Sequence, residues 1–299
     1  RSPRLALSRG VHLVFKHQDL PVHNTVVMRT HDARRIFAVP LGGYTYIGTT
    51  DDYHPECEYW PPVTEGDVSY LLAGTRQVMP EANLMPDNIV SVWSGIRPLV
   101  ADGSGRASKE LSRKDEVWVS SSGMLSVGGG KLSAYRAMAE RIVDTVIENH
   151  GFTAKPCTTA EVPLPGGDVE VLASDLTGVG DIQAERLARL YGAEAPNLVG
   201  DTGERALLKA EVHQAVQREG ALRLEDYWAR RSSRAWFDQG AGLPVLHEAA
   251  AAMAELLDWD DSRRAMEVEN CRDIDRASRA GFSSAVPGQG VDDDCLAAG

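Results

Sequence analysis

The sequence predicts an α+β fold in which an antiparallel sheet comes first and a set of helices comes last. Three observations carry this. Four β-branched or aromatic runs of roughly alternating pattern crowd residues 10–50, as in a meander. Beyond residue 169 the apolar residues recur at intervals of three and four, as in a helical bundle. Between them, "SVGGGKLSAYRAMAE" (Ser126–Glu140) sets three glycines and a lysine before an amphipathic helix.

The elements follow in order. Gly10–Phe15, Asn24–Thr30, Arg34–Leu41 and Tyr44–Thr50 read as strands, with "HDAR" and "LGGY" as turns. Thr64 caps a helix, with Asp67 in the capping-box position and Val68, Leu71, Leu72, Thr75 and Val78 on one face; Pro80 ends it. Ile89–Leu99 is a strand, and Glu116–Ser122 and Met124–Gly129 form a hairpin about Gly123. A helix runs from after Lys131 to about His150, where Gly151 stops it. "TAKPCTTAEVPLPGGDVE" (Thr153–Glu170) has linker composition. Helices are then expected at Ile182–Tyr191, Glu204–Glu219, Glu225–Arg234, Val245–Leu257 and Asp261–Ile274, and no internal repeat is found. The resulting division is 1–150, a linker at 151–168, a helical domain at 169–275 and a disordered tail at 276–299.

Composition narrows the function. The chain has 299 residues, 43% of them hydrophobic and 25% charged, enough for two cores. Its net charge of −12 argues against nucleic acid as a general partner, though not against a local basic pocket. No apolar run of about 18 residues occurs. Cys57, Cys157, Cys271 and Cys295 form no C-x-x-C pair, which supports neither a zinc site nor a redox dithiol and fits a cytoplasmic protein. The start at Arg1, without methionine, points to a fragment.

Several residues could carry chemistry. Gly128, Gly129 and Gly130 bring a backbone close to a planar or anionic ligand, the following helix aims its amides there, and Lys131 adds a charge. The Walker spacing is not met, so a ligand site and a plain tight turn both stay open on these grounds. Gly178-x-Gly180 lacks a preceding strand and reads as a helix-starting loop. Arg97, at the end of an apolar strand in "SGIRPL", needs an anion or carboxylate partner if buried. Arg113 in "KELSRKDE" is either a third cation with Arg97 and Lys131 around a phosphate, or a solvated charge paired with its acidic neighbours. His12 is a strand histidine, structural or, if it faces a pocket, a general base. "DDYH" (Asp51–His54) has too few ligand-type residues to propose a metal, and no G-x-S-x-G pattern supports acyl transfer.

The ordered set "SRGVHLVF", "YIGTTDD", "MPDNIVSVWSGIRPLV", "LSRKDEVWVSSSGMLSVGGGKLSAYRAMAE" and "EVHQAVQREGALRLEDYWARRSSRAWF" resembles the FAD-dependent, quinone-linked glycerol-3-phosphate dehydrogenases of the D-amino-acid-oxidase-like superfamily. The resemblance implies a substrate-domain sheet, the remainder of a discontinuous FAD domain and an α-helical C-terminal domain. It implies that the family's strand–GxGxxG segment lies before Arg1, so that this chain grips FAD poorly by itself. It makes His12 the base, Arg97, Arg113 and Lys131 the substrate cations, and Gly128, Gly129, Gly130, Lys131 and Leu132 the flavin-side turn. Ser133-Ala134 departs from the two threonines usual in the family. The implied reaction oxidises glycerol 3-phosphate by hydride transfer to FAD, with a membrane quinone as acceptor, peripheral contact with the inner face of the membrane, and a homodimer among the allowed assemblies. A glycerol-3-phosphate oxidase, another flavin oxidase of the superfamily, or an inactive truncated remnant are the alternatives.

Overall fold

β1 (Arg4–Lys16) organises the sheet. The computed structural model describes residues 4–101, 115–199 and 204–280. Within them β1 pairs antiparallel with β4 (Tyr44–Gly48) and β5 (Asp52–Tyr53) on one edge and along its whole length with β6 (Ile89–Ala101) on the other. β2 (Val26–Arg29), β3 (Arg35–Leu41) and β4 form the meander expected from their alternation. The expected first strand thus begins six residues earlier than its apolar run, because β6 supplies partners back to Arg4.

Alternation sorts the side chains onto two faces. On one, Val11, Leu13, Phe15, Met28, Ile36, Ala38, Ile47 and Val92 are buried against Val68, Leu71 and Leu72 of α1 (Glu65–Val78). Each large side chain so buried is worth about 1.5–3 kcal/mol. Thr64 caps α1 and Asp67 closes the capping box. Asp67 also takes an ion pair at 2.7 Å from Arg9 of β1, so the cap ties the helix to the sheet.

The other face carries Ser8, Gly10, His12 and Val14 of β1, opposite Arg97, Gly95, Trp93 and Ser91 of β6. At the Val14 end it is covered by the C-terminal helices: Ser91 Oγ donates to the Trp236 carbonyl at 2.6 Å, and the Phe237 ring lies 5.8 Å from Trp93 and 6.0 Å from Tyr46. Near the Arg4 end of β1, against Leu5, lies the hairpin β7 (Asp115–Val119) and β8 (Leu125–Gly129). A Cβ on Gly128 would sit 3.5 Å from Leu5 Cδ2. A 3₁₀ turn, Leu132–Ala134, leads into α2 (Tyr135–His150), which Gly151 ends at φ 64°. No residue of α2 is buried.

The helical part comprises α3 (Asp181–Tyr191), α4 (Ala195–Leu198), α5 (Glu204–Gln217), α6 (Arg234–Phe237), α7 (Leu246–Leu257) and α8 (Asp261–Arg279). The single helix expected at Glu225–Arg234 is instead a π-helical segment, Asp226–Arg231, broken at Ser233 (φ 56°) before α6 begins. This widened turn buries Tyr227 and Trp228 completely. The last helix passes its expected end at Ile274 and continues to Arg279, through the first residues assigned to the tail; residues 281–299 lie outside the described residues. Among the described residues no helix is long and apolar enough to cross a membrane.

Candidate active site

His12 and Arg97 stand on the same sheet face with Gly10 between them, which is what the register His12↔Trp93, Gly10↔Gly95, Ser8↔Arg97 requires. Each lies over a glycine. A Cβ on Gly10 would be 2.3 Å from Arg97 Nη2 and 2.5 Å from Nη1; a Cβ on Gly48 would be 2.1 Å from His12 Cδ2. The missing side chains make the slots into which the guanidinium and the imidazole settle. Gly95, the third glycine of the face, is exposed and has open space beside it.

The imidazole stacks on Trp93, with centroids 4.8 Å apart and planes 15° apart, and meets Tyr46 edge-on at 6.1 Å. Its Nδ1 is buried with no hydrogen-bond partner. Burial first, and the Arg97 charge second, hold the His12 pKa down at about 4. At neutral pH the ring is therefore uncharged and open to a proton.

Arg97 is held by the segment that follows β4. Its Nη2 donates to Thr49 Oγ1 at 3.0 Å, and its Nη1 to the Thr50 carbonyl and to Asp51 Oδ1, both at 3.4 Å. Arg34 grips the same loop from beyond, donating to the Asp51 carbonyl at 3.1 Å. A groove of about 490 Å³ opens here, lined by residues 32–35 together with Phe37, Thr49, Asp51 and Arg97. Three guanidiniums, of Arg34, Arg35 and Arg97, line this groove beside the carboxylates of Asp32 and Asp51, so it holds donors that an anionic ligand could use.

Lys131 and the glycine run belong to the end of β8 and the turn after it. Lys131 is exposed, and its ammonium has no hydrogen-bond or ion-pair partner among the described residues. It begins the 3₁₀ turn after β8, where no side chain caps the free amides. Arg113 lies outside the described residues, so the structure brings together His12 and Arg97 but gives no convergence of all three cations. The glycine run differs from expectation in one respect. The side space of Gly128 is taken by the Trp118 ring at 2.9 Å, and that of Gly130 by Met138 at 2.3 Å. Gly129 and Gly130 have φ of 76° and 89°. These residues are glycines because the strand-to-helix turn is left-handed and tightly backed. What they offer a ligand is backbone, beside the exposed side chains of Leu132 (88%) and Tyr135 (53%).

Sequence reasoning missed Gly48, Thr49, Asp51 and Gly95 because their roles depend on strand register. It missed Trp236 and Phe237 because they arrive from some 140 residues away. "DDYH" divides its roles: Asp51 faces Arg97, Asp52–Tyr53 form β5, and His54 Nε2 bonds Glu58 at 2.8 Å. The described residues contain no metal-binding group of His, Cys, Asp and Glu. Gly180 starts α3 as a loop residue; a cavity of about 920 Å³ beside it lies in the helical part, away from His12 and Arg97.

Comparison with known proteins gives a consistent result. Residues 1–136 match the family model "FAD dependent oxidoreductase". Residues 157–264 match "C-terminal domain of alpha-glycerophosphate oxidase". The aerobic glycerol-3-phosphate dehydrogenase of Bacillus subtilis (strain 168) is 32% identical over 289 residues, covering 88% of this chain and 52% of that protein. That of Staphylococcus aureus (strain USA300) is 32% identical over 285 residues, covering 87% and 51%. The glycerol-3-phosphate dehydrogenase from Bacillus halodurans, solved as a complex with FAD, superposes with a TM-score of 0.79 at 29% identity, over 94% of this chain and 59% of that one. The chain thus spans about half the length of the curated relatives it matches.

Proposed function

Since the chain belongs to the FAD-dependent oxidoreductases, we propose that it forms part of a glycerol-3-phosphate dehydrogenase that oxidises sn-glycerol 3-phosphate to dihydroxyacetone phosphate. The division proposed is 1–150 as substrate sheet and flavin-side turn, 151–168 as linker and 169–275 as helical domain. The observation that carries the reading is the placement of a neutral His12 and a loop-held Arg97 on one sheet face, beside a groove lined by Arg34, Arg35 and Arg97.

Arg97 binds the phosphate, with Arg113 and Lys131 as the further cations. His12 accepts the proton of the C2 hydroxyl; an arriving phosphate dianion offsets the Arg97 charge and so raises the basicity of the ring. Trp93 keeps the imidazole plane fixed during that transfer.

The residues present fit FAD. Gly95 leaves open space over the sheet face, and the turn from Gly128 to Leu132 offers uncapped amides, Lys131 and an exposed apolar surface at Leu132. Backbone of Gly128, Gly129 and Gly130, with Lys131 and Leu132, would hold the flavin. FAD, when bound, supplies the acceptor for the C2 hydride. The final acceptor in this reading is a membrane quinone, reached by peripheral contact with the membrane.

The test uses the full-length protein that carries this chain. Arg97→Ala and Lys131→Ala are each expected to lower kcat/KM for glycerol 3-phosphate by roughly 10²-fold or more. Near-normal kcat/KM in both would refute the cationic-site reading. Oxygen uptake without added quinone would favour the oxidase instead.

A further inference from the structure

The segment after β4 has a role that the reaction itself does not assign. Three consecutive residues present acceptors to one guanidinium: the hydroxyl of Thr49, the carbonyl of Thr50 and the carboxylate of Asp51. Asp51 is itself fixed on two sides. The Ser8 hydroxyl, on the β1 residue facing Arg97, donates to the same Oδ1. Arg34, itself paired with Asp32 at 2.9 Å and Asp52 at 3.4 Å, holds the Asp51 carbonyl. Below the guanidinium, the bare backbone of Gly10 leaves a surface on which it can lie flat.

We propose that Asp51 is a positioning residue for Arg97: with Thr49 it holds the guanidinium flat across Gly10, on the His12 side of the sheet, and so sets the edge that Arg97 offers an anionic ligand. The last clause rests on the reading of Arg97 as a ligand-binding cation; the positioning itself does not. As a stabilising bridge the pair would achieve little. At 3.4 Å, with 28% and 18% of the two side chains exposed, it is long and partly wet. As a constraint it achieves more. Arginine has a long, rotamer-rich side chain, and a guanidinium fixed before the ligand arrives loses less entropy on binding.

His12 reports the position of Arg97, because the guanidinium is one of the two causes that depress its titration. The sign separates the possibilities. Removing a carboxylate lowers a nearby imidazole pKa or leaves it alone; only departure of the guanidinium raises it. In the 299-residue chain, the His12 imidazole is titrated by NMR in wild type, Asp51→Asn, Thr49→Val and Arg97→Met, and inorganic phosphate binding is measured calorimetrically. We expect Asp51→Asn and Thr49→Val to raise the His12 pKa by roughly half to one unit, and Asp51→Asn to add nothing on top of Arg97→Met. Phosphate should bind about tenfold more weakly to Asp51→Asn, with recovery in Asp51→Glu. If Asp51→Asn does not fold, Thr49→Val decides alone. An unchanged or lowered His12 pKa in the folded variants overturns the proposal. A raised pKa in a chain whose wild type binds no phosphate upholds the positioning and refutes the ligand role of Arg97.

Discussion

Alanine at Gly48 and alanine at Gly10 should have opposite consequences, although both insert a methyl group under a functional side chain. At Gly48 the new Cβ would stand 2.1, 2.6 and 2.8 Å from His12 Cδ2, Nε2 and Cγ. To reach even 3.0 Å the ring must move 0.9 Å (3.0 − 2.1). It has nowhere to go, because Trp93 is stacked on it at 4.8 Å and is itself backed by Trp236 at 5.6 Å. Forced repacking of this kind costs about 1–3 kcal/mol. At Gly10 the clash is with the tip of Arg97, which must move 0.7 Å (3.0 − 2.3) at the end of a flexible chain. Two of the three hydrogen bonds it stretches are already 3.4 Å long, and alanine recovers about 0.5–1 kcal/mol of the entropy that a strand glycine costs. Gly10→Ala should therefore be within about 0.5 kcal/mol of wild type in urea denaturation, while Gly48→Ala loses roughly 1–3 kcal/mol. In the full-length protein, Gly10→Ala should nonetheless cut kcat/KM by about 10²-fold, since roughly an ångström of misplacement suffices for that. A Gly48→Ala chain as stable as wild type, or a Gly10→Ala enzyme of full activity, would refute the account of the two slots.

His12 also makes stability depend on pH. Its folded value of about 4 lies below its unfolded value of 6.5, so the unfolded chain takes the proton first. The contribution is complete above about pH 6.5 and is lost as pH falls toward 4; between pH 7 and 4.5 wild type should lose about 2.5 kcal/mol more than His12→Gln in paired urea titrations. Equal losses would show that the ring is not held neutral. In the helical part, Glu211 is fully buried between Arg186 at 2.7 Å and Arg234 at 2.8 Å. Burial pushes its carboxyl up, but the two guanidiniums pull it down further, and the net shift is downward. Glu211→Ala leaves two guanidiniums facing each other, and thermal denaturation should show a loss of about 3–5 kcal/mol; a loss under about 1 kcal/mol would mean that water replaces the carboxylate. Gly130→Ala places a Cβ 2.3 Å from Met138 at a φ of 89° and should destabilise the turn by about 1–3 kcal/mol, read as faster proteolysis near residue 130. Unchanged proteolysis would show that the turn does not need its glycine.

Local patterning made much of the fold legible. The meander strands, the Thr64–Asp67 capping box and the Gly151 stop each depend on residues within a few positions of one another, and each appears within a few residues of its expected bounds. The π-helical stretch at Asp226–Arg231 was not legible, because its apolar spacing reads as an ordinary helix. The widened segment buries Tyr227 and Trp228 against α5 and α7, partners that local spacing does not show. Similarly, β1 runs back to Arg4 on partners from β6, about 90 residues away in the chain.

By itself, the sequence determined the order of sheet, glycine turn and helices, the absence of any long apolar run, and the candidates His12, Arg97 and Lys131, because residue type and short spacing carry these. Tertiary structure alone decided which candidates meet. Strand register set His12 and Arg97 on one face over Gly48 and Gly10, left Lys131 on a separate exposed turn, and brought Thr49 and Asp51 to the guanidinium. A one-residue slip of β1 in that register would turn Ser8, Gly10 and His12 to the opposite face, so it is the long-range pairing of β1 with β4 and β6 that selects the site.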